Sequence, residues 1–436
     1  MLFVVRRALV AGLALVCVAP GAMAQLRIEI SQGVEKAVPV AIVPFGWQGE
    51  GTAPPIDVAE IVSADLARTG RFAPIDRNDM LEQPTTGRTL DFEDWRILDV
   101  EVVVVGRLVE SEPDRYTIQF QVFDVFRGEQ LLGYRQPSTG ARLRPSSHRV
   151  ADLIYEELTG VPGIFTTRVA YVSVSGEAES KKYRLVVADA DGANPKILVD
   201  SAEPIMSPAW SPDSRKLAYV SFENKNSEVF VQTLRSGARQ KVSARAGVNS
   251  APSWSPDGRY LALTLSRETG NLDVYTIELR SQVLKRLTEQ ASIDTEPVWS
   301  PDGRHIYFTS DRAGGPQIYR VRADGGRAER VTFEGSYNAR PRLAPDGKQL
   351  AVVHNDRGNY RIAVVDLGRA FTQIVTDGRL DESPSYAPNG ETLIYATREG
   401  VRGVLATVST DGRVRQRISS LEGDVREPAW SPLPVN

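Results

Sequence analysis

The sequence predicts two domains, a small N-terminal α/β domain with a mixed sheet followed by an all-β six-bladed β-propeller. A phrase of the form Pro-x-Trp-Ser-Pro-Asp recurs six times in the second half of the chain, in steps of 43–45 residues. A period of about 40–45 residues built from short strands is typical of propellers, in which each repeat forms one four-stranded blade. The first 160 residues lack the phrase and mix apolar runs with helical patterns instead.

The copies of the phrase vary in a way that still fits a repeated blade. They begin at Pro208, Pro252, Pro297, Pro341, Pro384 and Pro428. The third position is Trp in four copies, Leu343 in the fourth and Tyr386 in the fifth. Because large aromatic side chains dominate core burial, we interpret this position as packing between blades rather than as ligand binding. The Asp-Gly pairs that follow several copies are typical of turns.

The two ends of the repeat region predict how the ring closes. Each of the first five phrases is followed by an apolar strand, such as 216–221. A sixth copy of that strand, at 168–173, has no phrase before it, and the last phrase, at 428–432, has no strand after it. We therefore expect the C-terminal strand to pair with 168–173 and to close a propeller over 164–436. Closure removes free sheet edges.

The first 24 residues are typical of a cleaved signal peptide. Arg6 and Arg7 precede an apolar run at 8–18, and Ala22-Met-Ala24 supplies a small-residue cleavage site. The run is too short for a membrane anchor, and we favour the general secretory route over twin-arginine export. The residue before Cys17 is not small, which argues against lipidation. We expect an exported protein without a transmembrane segment.

The charge of the mature chain argues against a nucleic-acid partner. The chain has 52 basic and 55 acidic residues, and cleavage would remove two of the basic ones. A mildly acidic protein lacks the positive surface that phosphate binding requires. Cleavage would also remove the only cysteine, so we expect neither disulfides nor thiols in the mature chain.

The N-terminal domain, predicted over 25–160, mixes strands and helices. Apolar runs and alternation predict strands at 38–45, 100–106, 116–123 and 130–136. Apolar spacing predicts helices at 56–69, 95–98 and 147–158. The segment 25–36 stands apart, because apolar and polar residues alternate there at a chain terminus. It is either an ordinary edge strand or a detachable strand that can add to the sheet of a partner.

Catalytic and metal-binding motifs are not recognisable in the sequence. There is no Gly-x-Ser-x-Gly elbow, no His-Glu-x-x-His and no Gly-rich phosphate loop. His148, His305 and His354 lie in three different predicted settings, so we predict packing roles rather than metal ligation. Asp189-Ala-Asp191-Gly192 shares a few residues with a calcium loop but lacks the later ligands, and a turn explains it. We predict no enzymatic activity, no cofactor and no metal site.

The mouth of the propeller channel is the remaining candidate site. In each blade, the loop that enters the innermost strand opens onto the channel. These loops carry carboxylates and arginines at Asp294, Glu296, Asp381, Glu382, Glu427, Arg340 and Arg426. One interpretation is a solvated rim. The other is a rim that binds a basic peptide, a protein loop or a cation.

The chain resembles the TolB family of Tol-Pal periplasmic proteins along its whole length. The first domain carries Val40-Ala-Ile-Val-Pro-Phe45, Val103-Val-Val-Gly-Arg107 and Leu158-Thr-Gly160. The propeller carries Met206-Ser-Pro-Ala-Trp-Ser-Pro212, Lys216-Leu-Ala-Tyr-Val220, Asp294-Thr-Glu-Pro297, Leu380-Asp-Glu382 and Pro428-Ala-Trp-Ser-Pro432. The repeat alone occurs in many propellers, whereas the combination with the first domain and the signal peptide is specific.

This resemblance implies a non-enzymatic periplasmic adaptor that supports outer-membrane integrity and constriction during cell division. It implies that the peptidoglycan-associated lipoprotein Pal binds the channel mouth at Met206, Ser207, Asn249, Ala251, Thr295, Glu296, Arg340, Glu382 and Glu427. It implies that TolA binds the mature N-terminal segment, a switch strand at 25–36, through Gln25, Leu26, Arg27, Ile28, Glu29 and Ile30. We also expect a monomer.

Two alternatives belong to other functional classes. In the first, the chain is an exported propeller that binds a peptide or sugar ligand. In the second, it is a scaffold for a hydrolase or lyase. An exposed aromatic ring at the mouth would favour a sugar, and the mouth-loop segments at 206–207, 249–251, 294–296, 338–340, 381–383 and 426–427 contain none. A separate hydrolase domain has neither room nor motif in this sequence.

The chain departs from the repeat at Leu343 and at Asp213-Ser214, and Val248 is apolar in a mouth loop.

Overall fold

A computed structural model of the chain describes residues 37–177, 180–266, 270–418 and 423–434. A mixed sheet with helices is followed by six four-stranded antiparallel sheets arranged as a propeller. The predicted fold class is therefore confirmed. The predicted signal peptide and the segment 25–36 lie outside the described residues and stay predictions, as do the domain boundaries.

The first domain is built on a six-stranded sheet. Its strands are β1 (Val38–Ile42), β2 (Gly46–Gln48), β3 (Phe72–Pro74), β4 (Val102–Glu112), β5 (Arg115–Asp124) and β6 (Glu129–Thr139). Its helices are α1 (Val58–Arg68), α2 (Phe92–Ile97) and α3 (Leu143–Thr159), with 3-10 turns at Arg77–Asp79, Gly87–Thr89 and Gly140–Arg142. The order is β3-β1-β4-β5-β6, and β2 pairs with β4. The pairs of β1 with β3 and β4 are parallel, and those of β5 are antiparallel.

The valine run in β4 is explained by helices on both faces of the sheet. Val102 and Val104 belong to the core that includes α1 and α3, whereas Val103 and Val105 pack with the buried Trp95 of α2. A strand covered on both faces has an apolar residue at every position rather than at alternate positions. The first domain is thus a three-layer unit with the sheet in the middle.

The propeller strands follow in chain order, and the blades are numbered by their innermost strands. The first strand of the region is part of the sixth blade. Blade 1 contains β10 (Ile205–Trp210), β11 (Lys216–Ser221), β12 (Glu228–Thr233) and β13 (Arg239–Ser243). Blade 2 contains β14 (Asn249–Trp254), β15 (Tyr260–Ser266), β16 (Leu272–Glu278) and β17 (Leu284–Arg286). Blade 3 contains β18 (Asp294–Trp299), β19 (His305–Ser310), β20 (Gln317–Arg322) and β21 (Glu329–Arg330).

The remaining three blades repeat this arrangement. Blade 4 contains β22 (Asn338–Leu343), β23 (Gln349–Asp356), β24 (Asn359–Asp366) and β25 (Phe371–Ile374). Blade 5 contains β26 (Glu382–Tyr386), β27 (Thr392–Glu399), β28 (Arg402–Ser409) and β29 (Arg415–Ile418). Blade 6 contains β30 (Asp424–Trp430), β7 (Arg168–Ser175), β8 (Lys182–Asp189) and β9 (Lys196–Ser201).

The sixth blade joins the two ends of the propeller. Strand β30 runs antiparallel to β7, with Ala429 opposite Ala170. The Trp430 indole Nε1–H donates to Thr167 Oγ1 at 2.8 Å, and the backbone N–H of Ser431 donates to the carbonyl of Arg168 at 2.8 Å. The C-terminal strand therefore pairs with the strand at 168–175, as the incomplete repeats predict.

Tryptophans of the repeated phrase connect adjacent blades. Trp210 Nε1–H donates to the carbonyl of Ala429 at 2.9 Å, and Trp254 Nε1–H donates to the carbonyl of Ala209 at 3.1 Å. These contacts confirm that the position serves packing between blades. Trp299 differs, because its buried Nε1 has no hydrogen-bond acceptor among the described residues.

The first domain packs on the end of the propeller opposite the channel mouth. Glu391, in the turn after the innermost strand of blade 5, accepts hydrogen bonds from Tyr155 Oη at 2.6 Å and Arg71 Nη2 at 2.5 Å. Apolar side chains of α3, Phe165 and Trp430 belong to one continuous core. The mouth is therefore not covered by the first domain.

Trp430→Ala is expected to lower the free energy of unfolding by about 3–5 kcal/mol, because it removes a buried aromatic ring. It also removes the hydrogen bond to Thr167 at the closing blade. Trp299→Ala is the matched control, since this half-buried indole donates no hydrogen bond to any described residue. It should lower the free energy of unfolding by less than half as much. Urea unfolding of both variants measures the difference. Equal losses would contradict a special role for the closing blade.

A second prediction concerns Asp152, which joins α3 to the linker before β7. Its carboxylate accepts from the N–H of Phe165 at 2.7 Å and from Thr166 Oγ1 at 2.6 Å, and burial raises its pKa to about 6. Between the unfolded pKa near 4 and about 6, the folded state holds the proton more tightly than the unfolded chain. The free energy of unfolding should therefore fall as the pH rises through this window, by on the order of 2 kcal/mol, and level off above it.

Urea unfolding of wild type and Asp152→Asn at pH 4, 5, 6 and 7 tests this assignment. The variant lacks the titrating carboxyl, so the difference in stability between the two proteins should change across the window. Parallel pH profiles would show that Asp152 does not cause the dependence.

Candidate functional site

The mouth of the channel is shaped by a β-bulge in the innermost strand of every blade. The pairing with the second strand shifts register immediately around the first proline of the phrase. The residue before each proline has a φ between +49° and +55°, in the left-handed region. We call these six residues the mouth ring: Ser207, Ala251, Glu296, Arg340, Ser383 and Glu427. Residues other than Gly rarely adopt this backbone conformation. Its recurrence in all six blades indicates that the surrounding blade imposes it.

A second set of side chains faces the channel two residues further along each innermost strand. It consists of Ala209, Ser253, Val298, Arg342, Ser385 and Ala429. The two sets together line a cavity of about 360 Å³. Arg342 is the charged member of the second set, and its Nη1 donates to the carbonyl of Pro341 at 2.8 Å. Burial lowers the pKa of its guanidinium.

The two glutamates of the mouth ring connect adjacent blades. Glu296 Oε2 accepts from the backbone N–H of Arg340 at 2.9 Å, and its Oε1 accepts from Arg340 Nε at 3.0 Å. Glu427 likewise accepts from the backbone N–H of Ser207 in blade 1. Each glutamate thus satisfies the bulge amide of the next blade, so the carboxylates hold the mouth together as well as charging it.

Arg340 is the electrostatic centre of the mouth ring. Burial lowers the pKa of its guanidinium, but the carboxylates of Glu296, Glu427 and Glu382 more than compensate and the pKa is raised. Its Nη1 also contacts the Ser383 hydroxyl, and its Nη2 lies 4.0 Å from Glu427 Oε1. One cation therefore links ring positions in blades 3 to 6, and the mouth is polar and asymmetric.

Several polar residues expected at the mouth lie inside the blades instead. Asn249, Asp294, Asn338 and Asp381 occupy the same position in four blades, and each is at most 1 % exposed. Asp294 is paired with Arg312, and Asn249 accepts from the Ser243 hydroxyl at 2.6 Å. The prediction that Asn249, Asp294 and Asp381 face the mouth is therefore wrong. Their side chains hold the connection between consecutive blades.

The other predicted Pal-facing residues lie at or near the mouth. Met206 is exposed, and Thr295 is half-buried and accepts from the Thr264 hydroxyl at 3.3 Å. Glu382 is half-buried beside the ring. The predicted TolA-facing residues, from Gln25 to Ile30, lie outside the described residues.

An apolar arc beside the mouth ring was not predicted as a unit. It consists of Val248, Ile293 and Phe333, in the loops that enter the innermost strands of blades 2, 3 and 4. Val248 and Ile293 directly precede those strands, whereas the Phe333 ring lies 5.2 Å from the Arg330 guanidinium of the outermost strand β21, nearer the outer side of the same face. These side chains are 39 %, 49 % and 68 % exposed. Apolar residues in otherwise polar loops are the sequence signal that could have identified the arc. Exposed apolar side chains on one face of a protein are typical of an interaction surface.

Comparison with known proteins agrees with this architecture. The family model of the TolB amino-terminal domain matches residues 26–131, and that of the TolB beta propeller domain matches residues 155–434. The second match covers more than half of the chain.

The chain belongs to the TolB family.

Relatives within the TolB family are similar to this chain along nearly its whole length. The Tol-Pal system protein TolB of Xanthomonas campestris pv. campestris (strain B100) is 50 % identical over 409 residues, which cover 93 % of each chain. The protein of the same name from Xanthomonas euvesicatoria pv. vesicatoria (strain 85-10) is 49 % identical with the same coverage. A crystal structure of TolB from Acinetobacter baumannii has a TM-score of 0.86 and 42 % identity, and covers 94 % of this chain and 100 % of that one.

Membership in the TolB family supports a role in the Tol-Pal envelope system. The relatives are named as components of that system and not as enzymes. Within the described part of the chain, no helix is both long and apolar enough to cross a membrane.

Replacing Ala251 by Gly is expected to raise the free energy of unfolding by about 0.5–1 kcal/mol. Gly removes the cost of a left-handed conformation at the mouth ring, which exceeds the added entropy of the unfolded chain. Ala209→Gly is the control, because Ala209 lines the same channel without a positive φ. This substitution should lower the free energy of unfolding by about 0.5–1 kcal/mol. Urea unfolding shows whether each substitution raises or lowers the free energy of unfolding. Destabilisation by both substitutions would contradict strain at the bulge.

Proposed function

We propose that the mature protein is a non-enzymatic periplasmic adaptor of the Tol-Pal system. It binds the lipoprotein Pal at the channel mouth and TolA through its N-terminal segment, and it supports outer-membrane integrity and constriction during division. The single observation that carries this proposal is the exposed mouth. There, an asymmetric charged ring adjoins an exposed apolar arc on the end of the molecule that the first domain leaves free.

The chemistry of the mouth favours a protein partner over a reaction. Stable protein interfaces combine an apolar centre with a polar surround and bury about 1,200–2,000 Å² in total. The apolar arc and the mouth ring provide these two components side by side. The contact of His354 fits packing rather than catalysis, since its Nδ1 lies 2.9 Å from Asn338 Oδ1 inside the propeller.

The position of the N-terminal segment fits an adaptor with two separate binding regions. Residue Ala37 lies beside Gly70 and Val414, at the end of the propeller that carries the first domain. The predicted TolA-binding segment, 25–36, is attached at that end, whereas Pal would bind at the other. A coupling between the two partners must then pass through the body of the protein. A coupling free energy of about 1–3 kcal/mol would be sufficient for a switch.

Calorimetric titration of residues 25–436 with Pal from the same organism tests the adaptor, and a variant lacking 25–36 tests the switch. Saturable binding whose affinity changes with the deletion supports both parts of the proposal. Binding that the deletion leaves unchanged retains the adaptor and removes the switch. Absence of binding by the full mature chain would contradict the assignment of Pal to the mouth.

Phe333→Ser should weaken Pal binding at least tenfold, about 1.4 kcal/mol, because it removes the most exposed side chain of the apolar arc. Phe371→Ser is the matched control. Phe371 is 59 % exposed at the start of β25, on the end of the propeller opposite the mouth. The affinity of the control should equal that of wild type in the same titration. Equal affinities for all three proteins would place Pal elsewhere.

A further inference from the structure

Three metal-ligating side chains meet where the first domain contacts the sixth blade. His148 belongs to α3, whereas Asp189 ends β8 and Asp191 lies in the turn that follows it. One ligand atom from each residue can be chosen so that all three lie within 4.8 Å of one another. We call these three residues the junction cluster. It is separate from the mouth, at the opposite end of the propeller.

The imidazole of His148 leaves one nitrogen unpaired inside this cluster. The side chain is only 3 % exposed, and its Nε2 is buried without a hydrogen-bond partner among the described residues. That nitrogen lies 3.9 Å from Asp191 Oδ2, which is too far for a hydrogen bond. A buried polar atom without a partner costs free energy, and this nitrogen lies next to two carboxylates that can share a cation with it.

The opposite nitrogen of the ring has the partner that a metal-ligating histidine requires. His148 Nδ1 lies 2.6 Å from Oδ2 of the buried Asp65 in α1. With the proton on Nδ1 and directed at a carboxylate, Nε2 carries the lone pair that faces Asp191. A carboxylate behind the imidazole is the usual arrangement in histidine–metal sites, because it fixes the ring and increases its basicity.

A guanidinium now neutralises the two aspartates. Arg144 Nη2 contacts Asp191 Oδ2, and Arg144 Nε lies 3.9 Å from Asp189 Oδ2. The fit is incomplete, because Arg144 Nε is buried without an acceptor among the described residues. The Arg144 side chain is 29 % exposed, so it has a path to solvent.

The local charge would also allow a divalent cation to take the place of the Arg144 guanidinium. Three carboxylates, those of Asp65, Asp189 and Asp191, face the guanidiniums of Arg68 and Arg144, which leaves a formal charge of −1. A divalent cation in the position of the Arg144 guanidinium brings the formal charge to zero. The exchange therefore reduces the charge buried at the junction.

We propose that the junction cluster binds a divalent transition-metal ion of the Zn²⁺ type, with His148 Nε2 and the carboxylates of Asp189 and Asp191 as ligands. The ion displaces Arg144 toward solvent. Zn²⁺ accepts imidazole and carboxylate ligands at about 2.0–2.2 Å, which places them about 3.3–3.5 Å apart, so ligand atoms that now lie within 4.8 Å of one another must approach by up to about 1.5 Å. An imidazole with two carboxylates suits Zn²⁺ better than Ca²⁺ or Mg²⁺, which prefer oxygen ligands.

Such an ion would join the two domains, because its ligands come from both. This is different from the expectation drawn from the sequence, where His148 and the Asp189 turn have separate packing roles. The sequence separation of His148 from Asp191 hides the cluster until the first domain is placed on the sixth blade.

The test is calorimetric titration of untagged, chelator-treated residues 25–436 with ZnCl₂. One ion per chain is expected, and Asp189→Asn should weaken its binding at least tenfold. Arg144→Gln should tighten the same binding several-fold, since it removes the competing cation. A purely structural role for the cluster does not predict tighter binding by this variant. His305→Gln is the control, because His305 lies on β19 outside the cluster, and it should bind Zn²⁺ like wild type.

CoCl₂ provides a second readout that does not depend on affinity alone. Visible absorption bands of a low-symmetry Co²⁺ site are expected in wild type and Arg144→Gln, and their loss in Asp189→Asn. Circular dichroism checks that each variant is folded, and Asp191→Asn replaces Asp189→Asn if the latter does not fold. The proposal is overturned by absence of Zn²⁺ binding, by weaker binding in Arg144→Gln, or by binding that the Asp→Asn variants leave unchanged, which would indicate an adventitious ion only.

Discussion

The pairing of β30 with β7 is the interaction on which the other parts of the structure depend. It joins residues more than 250 positions apart and makes a closed ring from six blades that otherwise contact only their neighbours. Closure brings the first and last mouth-ring residues together, so that Glu427 can accept the Ser207 amide. The same blade supplies Trp430 to the core shared with the first domain. Ring, mouth and domain placement are therefore consequences of one strand pair.

The two ends of the propeller have different roles because they are built from different loops. The loops that enter the innermost strands form the mouth, where the apolar arc is exposed and the charged side chains of the mouth ring are partly buried. The turns at the other end, including Glu391 and Asp191, contact α3 and its surroundings through ion pairs and hydrogen bonds. This division leaves one end for a partner and the other for the first domain. Both surfaces depend on the same repeated blade geometry.

The repeat made most of the fold predictable from the sequence. The periodic proline phrases predicted the number of blades. The two incomplete copies of the repeat predicted that the C-terminal strand pairs with the strand at 168–173. The short strands β2 and β3 were missed, since three residues are too few to show a periodicity.

The side chains of the mouth were harder to predict. Sequence position suggested that Asn249 faces the channel, whereas this residue pairs with Leu265 ahead of the bulge and its side chain is buried. A proline at the same place in six inner strands was an available signal, because proline is tolerated within sheets chiefly at edges and bulges. The junction cluster depends on docking between domains, which no local pattern encodes.

The left-handed bulge has a further consequence for how this surface can diverge. Six identical backbone positions present Ser, Ala, Glu, Arg, Ser and Glu toward one opening, and the conformation is the same for all of them. The blade, rather than the side chain, therefore dictates the local backbone. Substitutions at Ser207 or Ala251 can therefore alter the chemistry offered to a partner while the scaffold is retained. Substitutions at Glu296, Arg340 or Glu427 would in addition remove the bonds that join adjacent blades, so these positions combine recognition with ring stability.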